Sequence, residues 1–123
     1  MAIILRRLKL LDDTTRVLAE ELLDTAARRG LPVMVFETYR EQGRQNQLWE
    51  QGRSRPGPIV TSVRISAHTS RRAFDVVWVG PTWKEPWPGA WRELRAIGDE
   101  LGLRPLIVFR NGAKDWPHFE RVP

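Results

Sequence analysis

The stretch that decides how this chain folds is SAHTSRRAFDVVWV, Ser66 to Val79. Its second half, AFDVVWV (Ala73 to Val79), is β-branched and aromatic and reads as the best strand in the sequence. One residue in it is out of place: Asp75 is a carboxylate amid a run that a core would bury, and such a group needs a partner or a metal. His68 lies seven residues earlier. On one straight strand the two would stand about 23 Å apart at roughly 3.3 Å per residue, too far to share an ion. The polar TSRR between them (Thr69 to Arg72) permits the chain to turn back and bring them together.

The other histidine sits in DWPHFE, Asp115 to Glu120. Asp115 and His118 are three residues apart, so a regular strand would point them to opposite faces. Pro117 cannot donate a backbone hydrogen bond and biases Trp116 toward extended geometry, so the strand is expected to begin near His118. Asp115 then falls in the preceding turn, free to aim into the same cavity as the histidine. Cysteine is absent, which excludes disulfides, thiolate ligands and a cysteine nucleophile together. Any metal site must therefore use nitrogen and oxygen. A His, Asp, His set leaves one position of a zinc tetrahedron open, the catalytic arrangement, and a carboxylate outside the set could take a proton from water there. The opposing reading is two unrelated histidines, each paired with a nearby carboxylate.

Working outward, residues 13–29 carry Val17, Leu18, Leu22, Leu23 and Ala26 at helical spacing, with Asp13 or Thr14 able to cap the start and Gly30 the end. PVMVFETY (Pro32 to Tyr39) reads as a strand, and Glu41 to Gln51 as a short polar helix with Leu48 and Trp49 on one side. RSRPGPIVTSVRIS reads as a loop entering an extended segment. After the central strand, PTWKEPWPG is turn-rich, and residues 90–103 place Leu94, Ile97 and Leu101 on one helical face. PLIVF (Pro105 to Phe109) reads as a strand, NGAK as a turn, and HFERV as a last short strand. The order predicts a small α+β domain with an antiparallel sheet flanked by helices. Trp78, Trp83, Trp87 and Trp91 could form either a glycan-stacking surface or core and rim packing.

At 123 residues the chain has the size of one domain, read as residues 1–123 with no separate wall-binding unit. Hydrophobic content of 41% with 28% charged residues is ordinary for a globular protein. No apolar run approaches the length that spans a bilayer, and MAIILRRLKLLDD is too interrupted by charge to read as a signal peptide. A net charge of +5, with 17 arginines and 3 lysines, points to an anionic partner without choosing among nucleic acid, membrane surface and wall polymer.

SAHTSRRAFD resembles the S-x-H-x-x-G-x-A-x-D motif, and DWPHFE the D-x-P-H-F-E motif, of the D,D-carboxypeptidase/L-alanyl-D-glutamate endopeptidase family of zinc peptidases, which includes phage endolysins. The segment ETYREQGRQNQLWEQGRSRPGPIVTS is similar to the stretch that precedes the first motif in those endolysins, with an arginine after an aromatic, a Q-x-x-L-W run and a GR pair. The likeness runs from about Glu37 to Glu120 with its motifs in the family's order. It implies one zinc ion held by His68, Asp75 and His118 at the sheet of a hedgehog/D-Ala-D-Ala peptidase-like fold. Asp115 matches the carboxylate that serves as general base and then acid to the leaving amine. Arg40 matches the arginine that polarises the scissile carbonyl, a role suited to a fixed charge with a fork of donors. Ser66 matches the motif serine, with a role in substrate contact or in supporting the ligands.

One position departs from the motif: Arg71, followed by Arg72, stands where the family has glycine. If that glycine serves a positive backbone dihedral, arginine costs on the order of 1 kcal/mol there. The two arginines could instead grip a carboxylate of the substrate, which makes Arg71, like Ser66, a candidate for substrate binding or for supporting the ligands. The expected function is that of an endolysin that hydrolyses the L-alanyl-D-glutamate bond of peptidoglycan stem peptides by attack of a zinc-bound water. A D,D-carboxypeptidase is the alternative within the family, and a basic nucleic-acid-binding module the alternative outside it. The expected partner is the stem peptide, with anionic envelope polymers as a second candidate, no nucleic acid, no membrane span, and a monomeric state. Synthesis in the host cytoplasm followed by holin-dependent release to the wall is the expected localisation.

Overall fold

The computed structural model describes residues 3–123. Met1 and Ala2, the first residues of the N-terminal stretch read above against a signal peptide, lie outside the described residues. A single 3-10 turn, Leu8–Leu10, leads into helix α1, Asp13–Arg28. Strand β1, Val33–Glu37, helix α2, Gln42–Glu50, strand β2, Ala73–Trp78, helix α3, Ala90–Glu100, and strand β3, His118–Glu120, follow in order. The strands form one antiparallel sheet in the order β1-β2-β3, so the expected α+β architecture is present. No helix among the described residues is long and apolar enough to cross a membrane.

The central strand sorts its side chains by the twofold period of a pleated backbone. Phe74, Val76 and Trp78 enter the core, while Asp75 falls on the opposite face. Ala19, Leu22 and Ala26 of α1 and Ala90, Leu94 and Ile97 of α3 cover the apolar face, and Phe119 of β3 stacks on Phe74 with ring centroids 5.7 Å apart. Gly98 lets α3 approach the sheet closely: a Cβ there would meet the Phe119 ring at 2.8 Å. Trp78 and Trp91 pack on each other in this layer, at 4.7 Å, so of the four tryptophans weighed for glycan stacking only Trp83 and Trp87 are exposed.

Several local expectations shift. Asp12, not Asp13 or Thr14, caps α1, its carboxylate accepting from the Thr15 amide at 2.7 Å. Val17 is exposed, and Thr15 takes its place among the buried positions of the helix. Pro105 to Phe109 does not join the sheet as a strand. Val108 instead bridges Lys114, the Phe109 amide donates to the Ala113 carbonyl at 2.8 Å, and the Asp115 amide donates to the Ile107 carbonyl at 2.9 Å. The physical reason is competition for the short β3 edge: the Arg104 amide already donates to the Glu120 carbonyl at 2.9 Å, and Pro105 has no amide to offer. The extended segment therefore closes on itself around Asn111 and Gly112, and this hairpin carries Asp115.

Candidate metal centre and catalytic cleft

The register of the sheet lines up the polar face. Glu37 of β1 stands opposite Asp75 of β2, and Asp75 stands opposite His118 of β3, so three chemically active side chains share one row. His68 reaches the row from outside the sheet, on a turn. The Thr69 amide donates to the Ser66 carbonyl at 3.0 Å, the Arg72 amide to the Ala67 carbonyl at 3.0 Å, and the Ser66 hydroxyl accepts from the His68 amide at 3.1 Å. Ser66 thus shapes the turn that carries the histidine. The polar TSRR segment does reverse the chain, as the separation of His68 from Asp75 demanded.

One nitrogen or oxygen from each of His68, Asp75 and His118 lies within 4.8 Å of the others. Asp75 Oδ1 is 3.2 Å from His68 Nε2 and 3.1 Å from His118 Nδ1. The far nitrogen of each ring faces an acceptor: His68 Nδ1 is 2.7 Å from the Thr38 carbonyl, and His118 Nε2 is 2.9 Å from Glu120 Oε1. In the neutral rings that a metal requires, these acceptors would take the far-side N–H groups and leave the near nitrogens' lone pairs toward Asp75. Two lone pairs and a carboxylate oxygen aimed at one another call for a cation between them. A set of two imidazoles and one carboxylate, with both rings oriented by outer acceptors, fits zinc.

The electrostatics follow from the same contacts. Burial works against the Asp75 charge, but His68 and His118 outweigh it and hold its carboxyl well below the usual carboxylate range. Burial also works against an imidazolium at His118, yet hydrogen bonds to Asp75 and Glu120 push it up to about 9. The bond from His118, against the effect of burial, keeps Glu120 below its ordinary value. Asp115 moves the other way: burial, reinforced by the Asp75 charge, raises it despite the pull of His118 and Arg95. It sits in the turn before β3, with its carbonyl accepting from the His118 amide at 3.3 Å.

Arg40 is nearly buried beside this group. Its Nη2 donates to Glu37 Oε1 at 2.7 Å and lies 3.6 Å from Asp75 Oδ2, its Nη1 donates to Gln45 Oε1 at 2.8 Å, and its amide donates to the His68 carbonyl at 3.2 Å. Burial would raise the Glu37 pKa, but hydrogen bonds from Arg44 and Arg40 bring it below the ordinary value. Arg95, on α3, donates to the His118 and Arg104 carbonyls and lies 4.0 Å over the Phe119 ring, fastening β3 to the helix layer. His68, Asp75, Asp115, His118, Arg40 and Ser66 all line one cleft of about 520 Å³. Apolar side chains form part of its wall, Val60, Val63 and Ile65 on the loop before the turn and Ile107 and Phe109 on the hairpin, beside the polar Arg44, Thr61, Ser62, Arg72 and Arg104.

Arg71 is not in the cleft. Its φ of 61° is left-handed, which explains why glycine suits the position. Its guanidinium donates to the Leu10 carbonyl at 2.9 Å and lies 4.0 Å over the Tyr39 ring, away from the cleft, while its amide donates to the His68 carbonyl at 3.1 Å and so supports the turn that carries that ligand candidate. Arg72 does line the cleft and donates to the Arg121 carbonyl at 2.6 Å. Sequence reasoning passed over Glu37, Gln45 and Glu120. Glu120 was within reach, because it lies two residues beyond His118 on a strand and so shares its face. Gln45 opens the Q-x-x-L-W run but signalled no partner.

No protein-family model matches the chain. Among curated proteins it is 30% identical, over 117 aligned residues, to the peptidoglycan L-alanyl-D-glutamate endopeptidase CwlK of Bacillus subtilis (strain 168). That alignment covers 85% of this chain and 70% of the relative. Among solved structures, the L-Ala D-Glu endopeptidase ChiX of Serratia marcescens has the same fold, with a TM-score of 0.65 at 19% identity over 94% of this chain and 83% of that one. With a relative 30% identical and matched over 70% of its own length, the chain belongs to the D,D-carboxypeptidase/L-alanyl-D-glutamate endopeptidase family of peptidases.

Proposed function

We propose that this protein is a zinc-dependent peptidoglycan endopeptidase that hydrolyses the L-alanyl-D-glutamate bond of stem peptides. The observation that carries the reading is the convergence of His68 Nε2, Asp75 Oδ1 and His118 Nδ1 in a cleft that also holds Asp115 and Arg40. Zinc would be held by those three atoms, and when bound it supplies a Lewis acid and lowers the pKa of coordinated water.

The chain's own residues divide the remaining work. Asp115 has a raised proton affinity, so its carboxylate can accept a proton from the attacking water and return it to the departing amine. Arg40, buried and tied through Nη1 and Nη2, presents a fixed positive charge to the oxygen on which negative charge develops. Glu120 holds the His118 ring through Nε2, and the Thr38 carbonyl holds His68 through Nδ1. The choice of the L-alanyl-D-glutamate bond is supported by the names of both relatives, CwlK and ChiX. Action as an endolysin belongs to the same proposal and is supported by the likeness of the Glu37 to Glu120 motifs to those of phage lysins.

The test is digestion of purified peptidoglycan with and without chelator, followed by mass analysis of the fragments. New N-terminal D-glutamyl ends that vanish with chelator and return with zinc are expected. Released D-alanine would make the protein a carboxypeptidase instead, and cleavage indifferent to chelator would sink the zinc reading.

A further inference from the structure

We infer that Glu37, assisted by Gln45, is a positioning residue for the proposed reaction: it aims the Arg40 guanidinium into the cleft and holds it in the closer of two ion pairs, so that its contact with the metal ligand Asp75 stays the longer one. The inference rests on the reading of the cleft as a peptidase site. Glu37 ends β1 just beyond an irregularity in its pairing with β2, the kind of feature that re-aims a side chain. It is 1% exposed, a carboxylate buried with two cations. Besides Arg40 Nη2 it accepts from Arg44 Nε at 2.6 Å and Arg44 Nη2 at 3.2 Å.

Gln45 completes the clamp. It is fully buried, takes Arg40 Nη1 on its oxygen, and donates from its amide nitrogen to the Val63 carbonyl at 2.7 Å. The glutamine of the Q-x-x-L-W run thereby links the guanidinium to the loop that lines the cleft. Arg40 Nη2 lies between two carboxylates, 2.7 Å from Glu37 and 3.6 Å from Asp75. Without the charge of Glu37, the guanidinium turns to Asp75, leaving the reacting oxygen and competing with the ion for its ligand. Both side chains are bonded to the guanidinium, and in this inference their influence passes through Arg40.

A double-mutant cycle tests this, with Glu37→Gln, Arg40→Gln and the double variant assayed on a synthetic stem peptide at saturating zinc. Zinc affinity is read separately by competition with a chromogenic chelator, and folding by circular dichroism. Glu37→Gln is expected to lower kcat about 10²-fold with little change in KM, the cost of misplacing a catalytic group. It should weaken zinc about tenfold, as loss of an outer-shell group does. In the Arg40→Gln background both effects should shrink to within about twofold. Effects that instead multiply would overturn the inference, as would an unchanged kcat in Glu37→Gln. Full activity of Arg40→Gln would remove it as well, without touching the zinc reading, which chelation tests alone. A wild-type protein inactive on the peptide would end the peptidase reading, while the zinc-affinity cycle still decides Glu37. If Glu37→Gln does not fold, Gln45→Met takes its place in the cycle: a kcat loss that disappears without Arg40 supports the clamp, and one that persists refutes it.

Discussion

Replacing Arg71 with glycine and, separately, with alanine isolates the strain stored where the family motif has glycine. Both changes remove the hydrogen bond to the Leu10 carbonyl and the stacking on Tyr39. At an exposed site these contribute at most about 1 kcal/mol and about 0.5 kcal/mol respectively. Alanine keeps a Cβ at a φ of 61°, whereas glycine does not. The left-handed conformation costs an L-residue roughly 1–2 kcal/mol, against which glycine adds about 0.5–1 kcal/mol of unfolded-chain entropy. Arg71→Ala should therefore lose up to about 1.5 kcal/mol, and Arg71→Gly should be the more stable of the two by up to about 1.5 kcal/mol, with a central value of about 1 kcal/mol. Urea unfolding reads both differences, and the gap between the variants corresponds to about 4 °C in Tm for a chain of this size. Peptidoglycan cleavage should be unchanged in both, because the guanidinium lies outside the cleft. An alanine variant more stable than the glycine variant would refute the strain, and a tenfold loss of cleavage by the glycine variant would restore a substrate role to Arg71.

Other outcomes follow from the site. Asp115→Asn should keep full zinc content yet lose about 10²- to 10⁴-fold in kcat, measured on a stem peptide, whereas His68→Ala should lose the metal as well. Ion-free protein should become less stable as pH rises. The folded-state pKa of His118 is raised from 6.5 to about 9, so its stabilisation is complete below 6.5 and is lost on passing through 9. The full span is on the order of 3 kcal/mol, and zinc should reverse the trend because the ion displaces that proton. Melting curves from pH 6.5 to 9.5, with chelator and with zinc, measure both slopes, and a flat chelator curve would dispose of the His118 assignment. Gly98→Ala should destabilise the fold by about 1–3 kcal/mol, since its Cβ would press on the buried Phe119 ring. Urea unfolding checks this, and a neutral result would mean that α3 does not pack as closely as described.

The division between what was legible and what was not runs along the range of the interactions. Asp75 announced itself because a carboxylate in an apolar run has no local explanation, and the polar TSRR turn was readable because the chain had to reverse to use it. The strand at His118 and the turn holding Asp115 followed from what Pro117 forbids. Pro105 to Phe109 misled because strand propensity is local while membership of a sheet needs a free edge, and Arg104 had already taken the carbonyl of Glu120. For Arg71 the charge was legible but its direction was not: the guanidinium bonds to Leu10 and stacks on Tyr39 outside the cleft, contacts that only the fold supplies.

The sequence by itself determined the chemistry available to this protein: no thiolate, two histidines, each in a motif with an aspartate that could join it, and a central strand with one carboxylate on its polar face. Tertiary structure alone decided the assembly. The antiparallel register put Glu37, Asp75 and His118 in one row, the Ser66 turn returned His68 to it, and a buried carboxylate and a glutamine fastened Arg40 alongside. Pairing register and buried hydrogen bonds depend on contacts between residues tens of positions apart. Such contacts exist only when the chain has closed on itself, so no spacing along the sequence encodes them.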